Sequence, residues 1–233
     1  MIEAAVHALE NEKFILGESV FKFEEEFAKY IGTKNAISVN SGSSALYLSL
    51  LAANISNNSK VITSTNSFIA SSNTIISTGA EPILVDIDES DGNLDMKNNQ
   101  TNVNAIIPIH IYGNPCDFES VKEFAETKKI PIIEDACQAH GATYKGKKVG
   151  SLGQLGCFSF YPTKNMTVGG DGGMITTDDD DLAKTLISLR DNGRKESNRS
   201  IHEKFGFTMR LNTVNAAIGR VELKNLDEKN KRR

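Results

Sequence analysis

"IPIIEDACQ", residues Ile130–Gln138, decides how the chain folds. It opens on apolar residues and one proline, then ends abruptly in two acids. It follows "DFESVKEFAETKK" (Asp117–Lys129) with no linker, and that segment carries its apolar residues on one helical face. The same alternation continues in both directions. Upstream, "NAISV" (Asn35–Val39), "KVITST" (Lys60–Thr65), "PILVDI" (Pro82–Ile87) and "AIIPIHIY" (Ala105–Tyr112) read as strands. "SGSSALYLSLLAA" and Ser67–Thr78 read as helices between them. Downstream, "GCFSFYP" and "GGMITT" read as neighbouring strands, and "DDDDLAKTLISLRDNG" as a helix ending near Gly193. Strands that are apolar throughout and alternate with helices predict an α/β fold: a mostly parallel sheet covered on both faces. "NISNNS" and "KNNQTNVN" read as polar loops.

Composition sets the outer limits. The 233 residues, 39% hydrophobic and 24% charged, are enough for one large domain with a sizeable core. The net charge is -4, and the only basic block is the closing "KNKRR", which disfavours nucleic acid. No apolar run approaches a membrane span, and the N-terminus lacks the pattern of a secretory signal. Cys116, Cys137 and Cys157 are odd in number, far apart and without metal-type spacing, so they read as reduced thiols of a cytoplasmic protein. The four histidines form no i, i+4 pair, so no metal site is expected.

In parallel sheets, ligands bind at the carboxyl ends of the strands. Four groups stand there: Ser41-Gly42-Ser43-Ser44, Phe68, Glu134-Asp135 with Gln138, and Ser159 with Lys164. Each has a plain reading. "SGSSAL" is first a helix N-cap turn and second a phosphate cradle. Asp135 ends a very apolar strand, where a carboxylate is costly unless it is paired with a cation or bonded to backbone amides. Gln138 and His140, taken singly, read as structural. "GGDGG" lacks the Walker and Rossmann spacings and reads as a flexible turn. Asp178–Asp181 reads as a solvated helix start, capped by Thr177 with Asp180 three residues on.

Together these groups point to a cofactor. A lysine near a phosphate cradle, a strand-end aspartate and an aromatic ring is the set that pyridoxal phosphate requires. The amine forms a Schiff base, the aspartate keeps the ring nitrogen protonated, and the aromatic ring stacks on the pyridine.

The chain resembles the DegT/DnrJ/EryC1/StrS family of pyridoxal-phosphate-dependent sugar aminotransferases, of fold type I. The resemblance rests on "FEEEFAKYIGTKNAISVNSGSSAL", "GAEPILVDID", "AIIPIHIYGNPCD", "IIEDACQAHGATYKGKKVGSLG", "FSFYPTKNMTVGGDGGMITT" and "GFTMRLNTVNAAIGRVELKNLD", which cover nearly the whole chain in order. It implies a seven-stranded sheet. It implies Lys164 as the Schiff-base lysine, Asp135 on the pyridine nitrogen and Gln138 beside the 3-hydroxyl. Gly42, Ser43, the backbone of Ser44, and Ser159 would hold the phosphate, and Phe68 would cover the ring. Dehydratases of the family carry histidine at the lysine position, so Lys164 favours transamination.

Two substitutions depart from the pattern: Thr208 stands where an asparagine usually reaches the neighbouring subunit's phosphate, and Ser43 stands for the usual threonine. The resemblance also implies a C-terminal small domain, which this sequence is expected to lack, so residues 1–233 read as one cofactor-binding domain. The expected reaction moves an amino group from glutamate or glutamine to a keto-sugar nucleotide, in a homodimer with shared sites, and Arg210 is a candidate for a carboxylate, a phosphate or the subunit interface. Two alternatives stand beside it: a chain that binds pyridoxal phosphate or dimerises without turnover, and a cysteine desulfurase-like enzyme, whose marker would be a reactive cysteine on a mobile loop, whereas Cys137 sits at a predicted strand end.

Overall fold

The computed structural model describes residues 1–96, 101–195 and 197–232. The Lys97–Gln100 part of the polar loop lies outside the described residues. Seven strands form the centre: β1 (Asn35–Val39), β2 (Lys60–Ser64), β3 (Glu81–Val85), β4 (Ala105–Ile107), β5 (Ile133–Asp135), β8 (Leu155–Ser159) and β9 (Gly173–Thr177). Two short hairpins lie apart from them, β6 (Thr143–Tyr144) with β7 (Lys147–Lys148), and β10 (Arg194–Lys195) with β11 (Asn198–His202).

The strands run β3-β2-β4 and β5-β8-β9-β1, and the two sets are joined by parallel bridges, Ile106 to Ile132 and Ile109 to Asp135. All neighbours in this row are parallel except β9, which is antiparallel to both β8 and β1. The expected α/β class, the mostly parallel sheet and the pairing of "GCFSFYP" with "GGMITT" are therefore all present.

Helices cover both faces. On one side α3 (Gly42–Ala52) and α6 (Asp180–Arg190) bury Leu46, Leu48, Leu50 and Leu186 against Ile107, Ile133 and Ile175. α3 is apolar all round because it is enclosed, with α4 (Ala70–Ser77) against its other flank. On the opposite side α2 (Glu18–Ile31), lying against α7 (Thr213–Lys224), packs Phe23 and Phe27 on Phe158 and Phe160. Burying each such side chain is worth about 1.5–3 kcal/mol. α1 (Ile2–Asn11), α5 (Phe118–Lys128) and α8 (Leu226–Lys231) complete the layers. Among the described residues no helix is long and apolar enough to cross a membrane.

The fold corrects several sequence boundaries. β4 stops at Ile107 because Pro108 has no N–H to continue the ladder, and the chain then turns through Tyr112 at φ 55°. Pro131 similarly delays β5 to Ile133. α4 begins at Ala70, so Ser67 to Ile69 form a lead-in outside the helix. α6 is capped by Asp179, whose carboxylate accepts from the amides of Asp181 and Leu182 at 2.8 and 3.0 Å, and not by Thr177. Thr177 is still held in β9, and its hydroxyl accepts from the Asp179 amide instead.

Candidate active site

Above the carboxyl ends of β5 and β8 lies a cavity of ≈ 350 Å³, bounded by the start of α3, the lead-in to α4 and the turn after β8. This is within the range of small-molecule sites, about 300–1,000 Å³. A wider cleft of ≈ 790 Å³ at the opposite strand ends, beside Lys122, Gln154 and Asp178, holds none of the candidate residues.

The first wall is the start of α3. Ser41 is the N-cap, and its hydroxyl oxygen accepts from the Ser44 amide at 3.0 Å. The Ser44 hydroxyl donates to Asn40 Oδ1 at 2.6 Å. The cap accounts for Ser44, while Gly42 and Ser43 line the cavity with first-turn amides that have no partner within the helix. Cap and anion cradle are thus compatible readings of one turn. Gly42 permits the close approach: a Cβ there would lie 2.6 Å from the Ser159 Cβ and 3.0 Å from Cys137 Sγ.

The second wall is the end of β5. Strand alternation sends its two acids to opposite faces. Glu134 is fully buried. It accepts from the amides of Gly150, Leu152 and Gly153, each at 2.7 Å, and lies 3.0 Å from His110 Nε2. The Cys116 amide donates to His110 Nδ1, so the proton of the neutral ring sits on Nε2 and points at Glu134. Asp135 faces the cavity at 6% exposure. It accepts from the Ser71 hydroxyl at 2.8 Å and the Cys137 amide at 3.2 Å. Among the described residues, no cation lies within ion-pairing distance of it. A nearly buried carboxylate with two neutral donors and no cation suits a positively charged ligand atom.

Gln138 follows in the same turn, and its carbonyl accepts from the Tyr112 amide at 3.2 Å, which leaves its NH₂ as the donor end. Ser159 closes β8 and is buried. Its oxygen accepts from the Tyr161 amide at 3.4 Å. Lys164 lies on the turn that follows, where its amide donates to the Tyr161 carbonyl at 2.8 Å. Phe68, 66% exposed, completes the lining from the α4 lead-in.

The cavity therefore gathers Gly42, Ser43, Phe68, Asp135, Gln138, Ser159 and Lys164 from four separate stretches of sequence. Thr208 lies outside it, exposed and donating to Asn192 Oδ1 at 2.9 Å. Arg210 is paired with Asp191. Ser71, Tyr161, Thr163 and Asp171 line the cavity without having been singled out in the sequence. Of these, Ser71 stands three residues beyond Phe68, in the first turn of α4. Burial and the neighbouring Asp135 push the Cys137 thiol up, which keeps it protonated and argues against a nucleophilic cysteine here. Among the described residues no cluster of His, Cys, Asp and Glu could hold a metal ion.

The profile of the DegT/DnrJ/EryC1/StrS aminotransferase family matches residues 1–233. The chain is 42% identical over 217 residues to GDP-perosamine synthase from Caulobacter vibrioides, covering 91% of this chain and 58% of that protein. It superposes on the crystal structure of DesV from Streptomyces venezuelae, in complex with a ketimine intermediate, with a TM-score of 0.93 and 38% identity, covering 97% of this chain and 62% of that one. It is also similar to NtdA from Bacillus subtilis, solved with its bound cofactor PMP, with a TM-score of 0.88 and 31% identity over 97% of this chain and 52% of that one. The chain spans about three fifths of the length of the curated relatives it matches.

Proposed function

Because the chain belongs to the DegT/DnrJ/EryC1/StrS family of pyridoxal-phosphate-dependent aminotransferases, we propose that it carries the cofactor site of an enzyme that moves an amino group from glutamate or glutamine to a keto-sugar nucleotide. The product would be an amino sugar for surface polysaccharide, made in the cytoplasm by a homodimer. The observation that carries this reading is the meeting of Lys164 with the cation-less Asp135 and the start of α3 in one cavity.

The residues present suit pyridoxal phosphate. The first turn of α3, with Gly42, Ser43 and Ser159, offers amides and hydroxyls to a phosphate. Asp135 supplies the negative charge that a protonated ring nitrogen needs, and the Gln138 NH₂ can donate to a ring oxygen. Phe68 offers an aromatic face. Bound there, the cofactor would supply an electron sink for the carbanion next to the transferred nitrogen. Lys164 Nζ would carry the cofactor between turnovers, and once freed would move a proton between the substrate α-carbon and the cofactor's C4′, as base and then as acid. Thr208, exposed beside Asn192, would face a second copy of the chain.

The visible absorption spectrum tests this reading. Purified chain mixed with pyridoxal phosphate should gain a band that bleaches on adding L-glutamate, and Lys164→Ala should show neither change. A band that ignores glutamate would leave a cofactor binder without the first half-reaction. No band, or a normal response in Lys164→Ala, would overturn the proposal.

A further inference from the structure

The turn that carries Lys164 runs between two core anchors, Phe160 and Met166, both buried. A side-chain hydrogen bond ties this turn to a distant helix: Asn165 Nδ2 donates to Asn230 Oδ1 at 3.1 Å. Asn230 lies on α8, far along the chain. Its own Nδ2 donates at 2.7 Å to the carbonyl oxygen of His140, in the turn that follows Asp135 and Gln138. A carbonyl oxygen can only accept, so the Asn230 carboxamide has one workable orientation: NH₂ on His140, oxygen on Asn165.

One carboxamide thus spans the two turns that bring Asp135 and Lys164 to the cavity. α8 is itself fixed. Leu226 is buried, and the Tyr30 hydroxyl donates to Asp227 at 2.6 Å. The His140 turn is pressed close beneath it. Gly141 sits at φ 86°, and a Cβ there would lie 2.5 Å from the Tyr30 oxygen and 3.0 Å from Asn230 Nδ2.

We infer that Asn230 is a positioning residue, which sets Lys164 against Asp135 by clasping Asn165 and the His140 carbonyl together. This rests on the proposed role of Lys164. Asn230 touches neither the cavity nor any group that would react, so its effect passes through the backbone of the two turns. Aspartate at 230 would set two acceptors face to face at His140, so it should be worse than alanine despite its matching shape.

Two measurements on the whole chain test this. The first, without cofactor, is amide hydrogen exchange in peptides spanning 161–168 and 136–142. The second is the rate at which pyridoxal phosphate becomes linked to Lys164, trapped with borohydride and counted by mass. Asn230→Ala should exchange faster in both peptides and trap about ten-fold more slowly, the effect of roughly one lost hydrogen bond. Its thermal midpoint should fall by about 2–8 °C, the cost of a lost hydrogen bond in a chain of this size, and Asn165→Ala should slow trapping alike. The double variant should be no slower than either single one, because both break one link. Unchanged trapping in Asn230→Ala, or losses that multiply in the double variant, would overturn the inference alone. Wild-type chain that never links the cofactor to Lys164 would overturn the functional reading, and this inference with it.

Discussion

The Ser71 hydroxyl on α4 donates to Asp135 Oδ2 at the end of β5, at 2.8 Å, with both groups buried. A helix outside the sheet thereby fixes which way the strand-end carboxylate points. Ser71→Ala leaves that oxygen without its donor. It should cost about 1–2 kcal/mol, which for a chain of this size lowers the thermal midpoint by about 2–8 °C. Calorimetry of the two proteins checks the figure.

Asp135→Asn keeps the shape and an oxygen for Ser71, but removes the charge. If Asp135 faces a cationic ring nitrogen, the variant should fold normally and lose on the order of 100-fold in the glutamate half-reaction, typical of removing one preorganised electrostatic partner. Stopped-flow bleaching of the cofactor band measures it. A wild-type rate would remove Asp135 from the chemistry.

Gly42→Ala tests the close packing of α3 on β8. The added methyl would lie 2.6 Å from the Ser159 Cβ, so backbone or side chain must move. Overpacking of this kind costs about 1–3 kcal/mol, and here it would also displace the turn proposed to hold phosphate. Urea unfolding should show the loss, and titration with pyridoxal phosphate should show weaker uptake.

The cysteines predict how stability depends on alkali. Burial pushes the thiols of Cys116, Cys137 and Cys157 up. A thiol kept protonated in the folded chain gives a contribution that is complete below its unfolded value, about 8.5, and shrinks as the pH rises past it toward the raised folded value. Each such thiol should remove about 1.4 kcal/mol per pH unit in that window. Urea midpoints should therefore fall between about pH 8 and about pH 10. A Cys116→Ala, Cys157→Ala double variant should fall less steeply, and an identical slope would contradict the assignment.

Local pattern carried much of the fold. Asn35–Val39 is a strand as read, because its apolar run is bounded by Gly32 and Ser41. The antiparallel entry of β9 beside β1 was not readable, since no local property of "GGMITT" records which strand it will meet. The sequence places Glu134 beside Asp135 at the strand end but gives it no role, because the role of Glu134 depends on amides brought to it from residues 150–153. The α6 cap went to Asp179 for a related reason: Thr177 was already engaged in the sheet. Lys164 and Ser159 are legible because they follow or close a strand, whereas Asn230 meets Asn165 across sixty-five residues and leaves no local mark.

The position of β9 also governs when the site can exist during synthesis. Among the described residues β1 pairs only with β9, so β1 is an edge whose neighbour emerges more than a hundred residues after it. A nascent chain that has not yet released Thr177 has β2 to β5 available to pair in parallel, yet it has no partner for Asn35–Val39 and no second stem beneath the Lys164 turn. The lysine-bearing turn is therefore closed by the last of the seven central strands to be made, and the cavity assembles after the other six have been released.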